Sequence, residues 1–186
     1  KELRSKYRLL THEIIPQGDN YLVLGEAFYP TYRQERVRRY SPRGYYYYEN
    51  HIVFDGYKYT HAVVFAFSKK GDIIWDHGFK IADVKSMRLK EFVQVKTTDK
   101  QIQLMYNNEG KMNKMTIVDG QIVASDLELA LPSKYQADKV KYSDMGESEF
   151  WYDNHYLAWG NQRIKKMDEM LGNKNRNVFY INKLSY

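Results

Sequence analysis

The chain of 186 residues contains no cysteine. Disulfides, thiolate nucleophiles and cysteine metal ligands are thereby excluded. Proline is scarce, with 4 residues, and each acts as local punctuation. No apolar run approaches the 18 or so residues that a membrane-spanning helix needs. The phosphate-binding patterns G-x-x-x-x-G-K-[ST] and G-x-G-x-x-G are absent, and so is the G-x-S-x-G nucleophile elbow. The five histidines, His12, His51, His61, His77 and His155, stand singly, with no H-x-H or H-x-x-x-H pair to begin a metal site. No catalytic residue, metal or cofactor is assigned from the sequence, and the reading leans away from an enzyme.

Tyrosine is what the chain has in excess, 18 residues in a composition that is 16% aromatic and 43% hydrophobic. That mixture suits strands and broad amphipathic contact surfaces, and it is too apolar for a disordered chain. The net charge of +6 favours an acidic partner but is modest for a dedicated nucleic-acid binder. Length sets one domain as the expectation, residues 1–186. The first residue is Lys1 rather than Met, which is read as processing or as a piece of a longer chain.

Apolar alternation organises the chain around Tyr57–Ile81. His61, Val63, Phe65 and Phe67 alternate with Ala62, Val64, Ala66 and Ser68, then Lys69-Lys70-Gly71-Asp72 turns the chain into Ile73-Ile74-Trp75. This predicts a hairpin. Upstream, Tyr7–Pro16 and Tyr21–Pro30 read as strands, with Gly25 marking a bulge or a close backbone approach. Glu91–Ala124 reads as a meander of four short strands with Asp119-Gly120 as a two-residue turn. Phe150–Trp159 and Asn177–Tyr186 read as two further strands, and Leu127–Tyr142 as irregular. Arg163–Leu171 is the one helical candidate, because Ile164, Met167 and Leu171 fall at helical spacing.

The turn glycines Gly71 and Gly110 stand about 40 residues apart between pairs of short strands, a spacing typical of propeller blades. The phrase Val64–Trp75, VFAFSKKGDIIW, resembles the strand–turn–strand phrase of blade repeats in quinoprotein-like propellers. GEAFYPTY at Gly25–Tyr32, FDGYKYTHA at Phe54–Ala62 and the terminal VFYINKLSY are similar to the C-terminal part of uncharacterised propeller-like envelope proteins of the Bacteroidetes. The resemblance implies a β-propeller-like fold, and a periplasmic, outer-membrane-associated or extracellular location. Three blade-like units do not close a ring, so the chain is expected to be a partial propeller; an up-and-down barrel or a sandwich is the alternative. In either case the fold class is all-β, an antiparallel meander with at most one short helix near 163–171.

Four places carry side chains that could do chemistry. Asp76–His77 and Asp153–His155 bring acids near imidazoles, but neighbours on a strand point to opposite faces, so both read as turn and rim polars. His61 reads as a satisfied histidine in the strand core. Glu26 is the single acid inside an apolar strand; it is expected to pair with an arginine or face solvent, and the sharper alternative is a general acid with a raised pKa.

Residues 31–50 break the strand pattern: five arginines and one acid, Glu35, precede four consecutive tyrosines. They read as a long inserted loop with a short strand through the tyrosines. Arginine and tyrosine are enriched at protein interfaces, and the same mixture can stack single-stranded nucleic acid or a sugar ring. The expectation is a non-enzymatic binding or scaffold module of a bacterial envelope or extracellular assembly. It would meet a protein partner through Arg36, Arg38, Arg39, Arg43, Tyr45, Tyr46, Tyr47 and Tyr48. Glycan or small-ligand binding is the alternative and hydrolysis the third reading; nucleic acid is disfavoured because no RNP-like phrase accompanies the basic stretch.

Overall fold

The computed structural model describes residues 7–82, 84–131, 138–166 and 174–185. Among them every regular element is a strand, and all pairing is antiparallel. The all-β meander expected from the alternation is therefore what forms. The first sheet holds β1 (Arg8–Thr11), β2 (Ile15–Gln17), β3 (Asn20–Tyr40), β4 (Tyr46–Ser68), β5 (Ile73–Lys80) and β6 (Lys85–Ser86). The second is a plain meander of β7 (Gln94–Thr97), β8 (Gln101–Asn108), β9 (Lys111–Val118) and β10 (Gln121–Ala130). The third holds β11 (Asp138–Ser143), β12 (Glu147–Tyr152), β13 (His155–Lys166) and β14 (Lys174–Ser185). No sheet closes on itself among the described residues, so the barrel alternative does not form.

Several expected boundaries move. The expected strand Tyr7–Pro16 is divided into β1 and β2 around a short break. Phe150–Trp159 is a hairpin rather than one strand, because Asp153 takes a left-handed backbone (φ 47°) and reverses the chain. Within the helical candidate, residues 163–166 belong to β13, where Arg163 pairs with Asn177 and Ile164 with Arg176; residues 167–171 lie outside the described residues. Two long strands in register override a weak helical period. The Asp119-Gly120 turn forms as read, with both residues at positive φ (48° and 76°), the pattern of a type I′ hairpin.

The sheets are layered, with the second in the middle. Along β8, Ile102, Leu104 and Tyr106 point to one side and join Leu24, Tyr59, Val64 and Phe79 of the first sheet in the main core. Met105, between them, points to the other side and packs with Met112, Tyr156 and Ala158 against the third sheet. Asn107 does the same by hydrogen bonds, its Nδ2 donating to the carbonyls of Glu147 and Trp159 and to Tyr180 Oη. Alternation thus serves two cores at once.

Between the first two layers the chain runs through residues 81–82 and 84–93 with little ladder of its own. Buried backbone there needs partners from side chains. Tyr59 Oη donates to the Lys90 carbonyl and accepts from the Lys90 N–H. Tyr106 Oη donates to the Lys80 carbonyl and accepts from the Ala82 N–H. Part of the tyrosine excess is therefore structural, each ring filling the core while its hydroxyl closes a stretch of main chain.

Candidate functional site

The Arg/Tyr stretch is not a loop. Residues 31–40 continue β3 and residues 46–56 continue β4, paired in register from Tyr32–Phe54 to Tyr40–Tyr46. β1 and β2 reach β3 no further than Phe28, and β5 and β6 reach β4 no nearer the tip than Tyr57. Beyond that point the two strands pair, among the described residues, only with each other, a ribbon of about ten residue pairs, or roughly 30 Å at the usual strand rise. The expected inserted loop is thus a protruding β-arm. Sequence pattern missed it because an arm with no buried face has no apolar alternation to show.

The turn at the tip is Ser41–Tyr45. Ser41 N–H donates to the Tyr45 carbonyl at 2.8 Å, and Gly44 N–H donates to the Ser41 carbonyl at 3.0 Å. At the base, Thr31 Oγ1 donates to the carbonyls of Asp55 and Gly56, and Lys85 holds Asp55 at 2.5 Å. Gly56 has φ 99°, and a Cβ there would meet the Ser86 carbonyl oxygen at 2.9 Å. Aromatic contacts then run from the arm into the core: Tyr32 to Phe54, Phe54 to Tyr57, Tyr57 to Phe28, and Phe28 to Tyr59, with centroids 5.0–6.0 Å apart.

The two faces of the arm differ in charge. One carries Arg36, Arg38, Tyr40, Tyr46, Tyr48 and, toward the base, Ile52. Register puts no Asp or Glu on this face between Tyr32 and Phe54. The Arg38 guanidinium lies over the Tyr46 ring at 3.7 Å and that of Arg36 over Tyr48 at 4.2 Å; Tyr40 meets Tyr46 edge-on at 4.9 Å. The opposite face holds every acid of the arm, each with a basic partner. Glu35 pairs with Arg33, Glu49 with Arg39 at 3.5 Å and His51 at 3.1 Å, and Asp55 with Arg33 at 3.8 Å as well as with Lys85.

The eight residues singled out from the sequence all lie exposed at the outer end of the arm, but they are not one surface. Arg36, Arg38, Tyr46 and Tyr48 share the acid-free face. Arg39 and Tyr47 are cross-strand neighbours on the other face, and Arg43 and Tyr45 belong to the turn region. Tyr32, Tyr40, Ile52 and Phe54, with Gln34 and Asn50, complete the acid-free face, and the sequence did not single them out. The alternation of Arg36, Arg38 and Tyr40 was the available signal.

The other candidates have structural partners. Glu26 is fully buried, so it does not face solvent, and among the described residues it meets no arginine. Its Oε1 accepts from His12 Nε2 at 2.7 Å and from the N–H groups of Phe92 and Val93 at 2.9 and 2.8 Å. His61 is exposed rather than in the core, its Nδ1 2.9 Å from Thr60 Oγ1. His77 stacks on Trp75 and sits 2.8 Å from the Gly120 carbonyl. His155 Nδ1 lies 2.9 Å from Ser185 Oγ. Gly25 marks a close approach, since a Cβ there would strike the Leu9 side chain at 2.8 Å. Among the described residues no group of three His, Asp or Glu is placed to hold a metal ion.

A second feature lies between the middle and third sheets. Two adjoining recesses of about 240 and 350 Å³ share Lys90, Gly146, Glu147 and Trp159. Lys90 Nζ and Glu147 Oε1, which line both recesses, are 2.6 Å apart. No family model matches the chain, and neither a curated protein nor a solved structure matches it.

Proposed function

We propose that the protein is a non-enzymatic binding or scaffold module that grips a protein partner with the β-arm. The observation that carries this is the arm itself: about ten residue pairs of ribbon held clear of the sheets, with exposed arginines and tyrosines over its outer half. An isolated two-stranded ribbon is marginal by itself, and large exposed aromatic surface marks interaction sites. Arginine and tyrosine are the side chains that most often dominate interface energetics.

Placement in a bacterial envelope or extracellular assembly belongs to the same proposal. Its support is the likeness at Gly25–Tyr32, Phe54–Ala62 and the terminal strand. The propeller-like arrangement belongs here too. It is supported by Gly71 and Gly110, which both turn hairpins at positive φ in successive sheets. The test is co-purification from source cells of wild-type chain and of a variant with Arg36, Arg38, Arg39 and Arg43 changed to Ser. A partner retained by wild type and lost by the variant is the expected result. A partner that stays bound to the variant and to a chain with the arm shortened ends the arm reading.

A glycan or small polar ligand is the second reading, favoured by the paired recesses, where Trp159 stands beside the Lys90–Glu147 pair. Saccharide-dependent quenching of tryptophan fluorescence that disappears in Trp159→Phe would support it. A flat titration across mono- and oligosaccharides would remove it.

A further inference from the structure

We propose that the arm receives an extended acidic segment of a partner protein as an added strand along the outer edge of β3, with alternate carboxylates meeting Arg36 and Arg38. This rests on the arm being the contact surface. Among the described residues the only strand beside β3 over 31–40 is β4, so the outer edge presents main-chain donors and acceptors that no described strand pairs. Natural edges of this kind are blunted by Pro, Lys or bulges. Here Pro30 stands at the base, and 31–40 itself contains neither Pro nor Lys. What guards the edge is arginine, which repels a second copy of the arm and admits a carboxylate.

Side-chain geometry sets the partner's pattern. Arg36 and Arg38 are two residues apart on one face, roughly 7 Å along the strand. A strand added in register presents its own alternate side chains at the same interval, which is how strand addition obtains specificity from side chains and affinity from the backbone. Each guanidinium lies over a tyrosine ring, and its N–H groups can make bidentate contact with a carboxylate. Neither has a carboxylate partner among the described residues, whereas every acid of the arm is already paired on the opposite face. Nucleic acid suits this face less well. Tyr46 and Tyr48 each have a ring face covered by a guanidinium, and a strand edge offers bases no continuous ladder.

Fluorescence anisotropy with three labelled synthetic nonapeptides tests the proposal. The first alternates Glu and Thr; the second has the same composition in two blocks; the third alternates but is N-methylated on the main chain of the residues that would pair with β3. The alternating peptide should bind, and the other two should bind about tenfold more weakly or worse, since one loses the match of charges and the other the ladder. Arg36→Gln with Arg38→Gln should weaken the alternating peptide at least about tenfold, whereas Arg33→Gln with Lys85→Gln, both at Asp55 near the arm base, should change it by less than about threefold. Equal binding of all three peptides, or equal loss from both double variants, overturns the proposal. So does tighter binding of an oligothymidine, or no binding of the alternating peptide. In any of those cases the arm reading is still decided separately, by whether the four-arginine variant loses its co-purified partner.

Discussion

Glu26 was legible as an anomaly, a single acid in an apolar strand, but its partners were not. They come from residues 12, 92 and 93, and no local pattern links those positions. One carboxylate oxygen accepts three donors in a fully buried site. Glu26→Leu removes the acceptor and leaves two main-chain N–H groups unsatisfied, so it should destabilise the fold by about 3–5 kcal/mol in urea unfolding. Glu26→Gln keeps an acceptor oxygen of the same shape and should cost less, about 1–2 kcal/mol. Tyr59 is the second residue of this kind. Burial pushes its phenol above the ordinary tyrosine range. The folded state therefore holds that proton more tightly than the unfolded chain does. Its contribution is complete below the unfolded tyrosine pKa of about 10 and is lost as pH rises through the higher folded value. Tyr59→Phe should lower stability at neutral pH by about 1–2 kcal/mol, for the Lys90 N–H and carbonyl it leaves unpaired. The same variant should also flatten the fall in stability above pH 10, measured by urea titrations across the alkaline range.

Among the elements, the hairpin of β4 and β5 and the four-stranded meander could be read directly. Each has one face or both in a core, and burial imposes the alternation that a sequence displays. The arm could not be read as a strand pair. Its register is set by cross-strand contacts such as Arg38 with Tyr46, and contacts of that kind tolerate polar residues on both faces. The same lack of burial predicts that the arm carries little of the global stability. Replacing residues 34–52 by an Asn-Gly turn, which keeps Arg33 opposite Val53 and Tyr32 opposite Phe54, should shift the melting temperature by less than about 3 °C. Gly56 at the base behaves differently. Its positive φ and the nearby Ser86 carbonyl leave a side chain no comfortable position, so Gly56→Ala should cost roughly 1–3 kcal/mol in the same unfolding assay.

At the scale of the molecule, the middle sheet is the part on which both neighbours depend. The strands of that sheet were read from sequence, but not their place between two others. Residues such as Met105 and Asn107 look like interruptions of one apolar face until the second core is seen behind them. Leu104 is fully buried in the larger core, and Leu104→Ala should destabilise by about 2–5 kcal/mol. Amide exchange followed by mass spectrometry should find β8 and β9 the last to exchange and residues 33–53 among the first. These two regions also face different demands over time. A change in β8 must satisfy two packed neighbours at once, so few alternatives survive there. A change on the acid-free face between residues 34 and 52 touches neither core. If the arm binds as proposed, related proteins could therefore keep the same layered body while exchanging one partner for another, altering recognition through a handful of codons between Gln34 and Ile52.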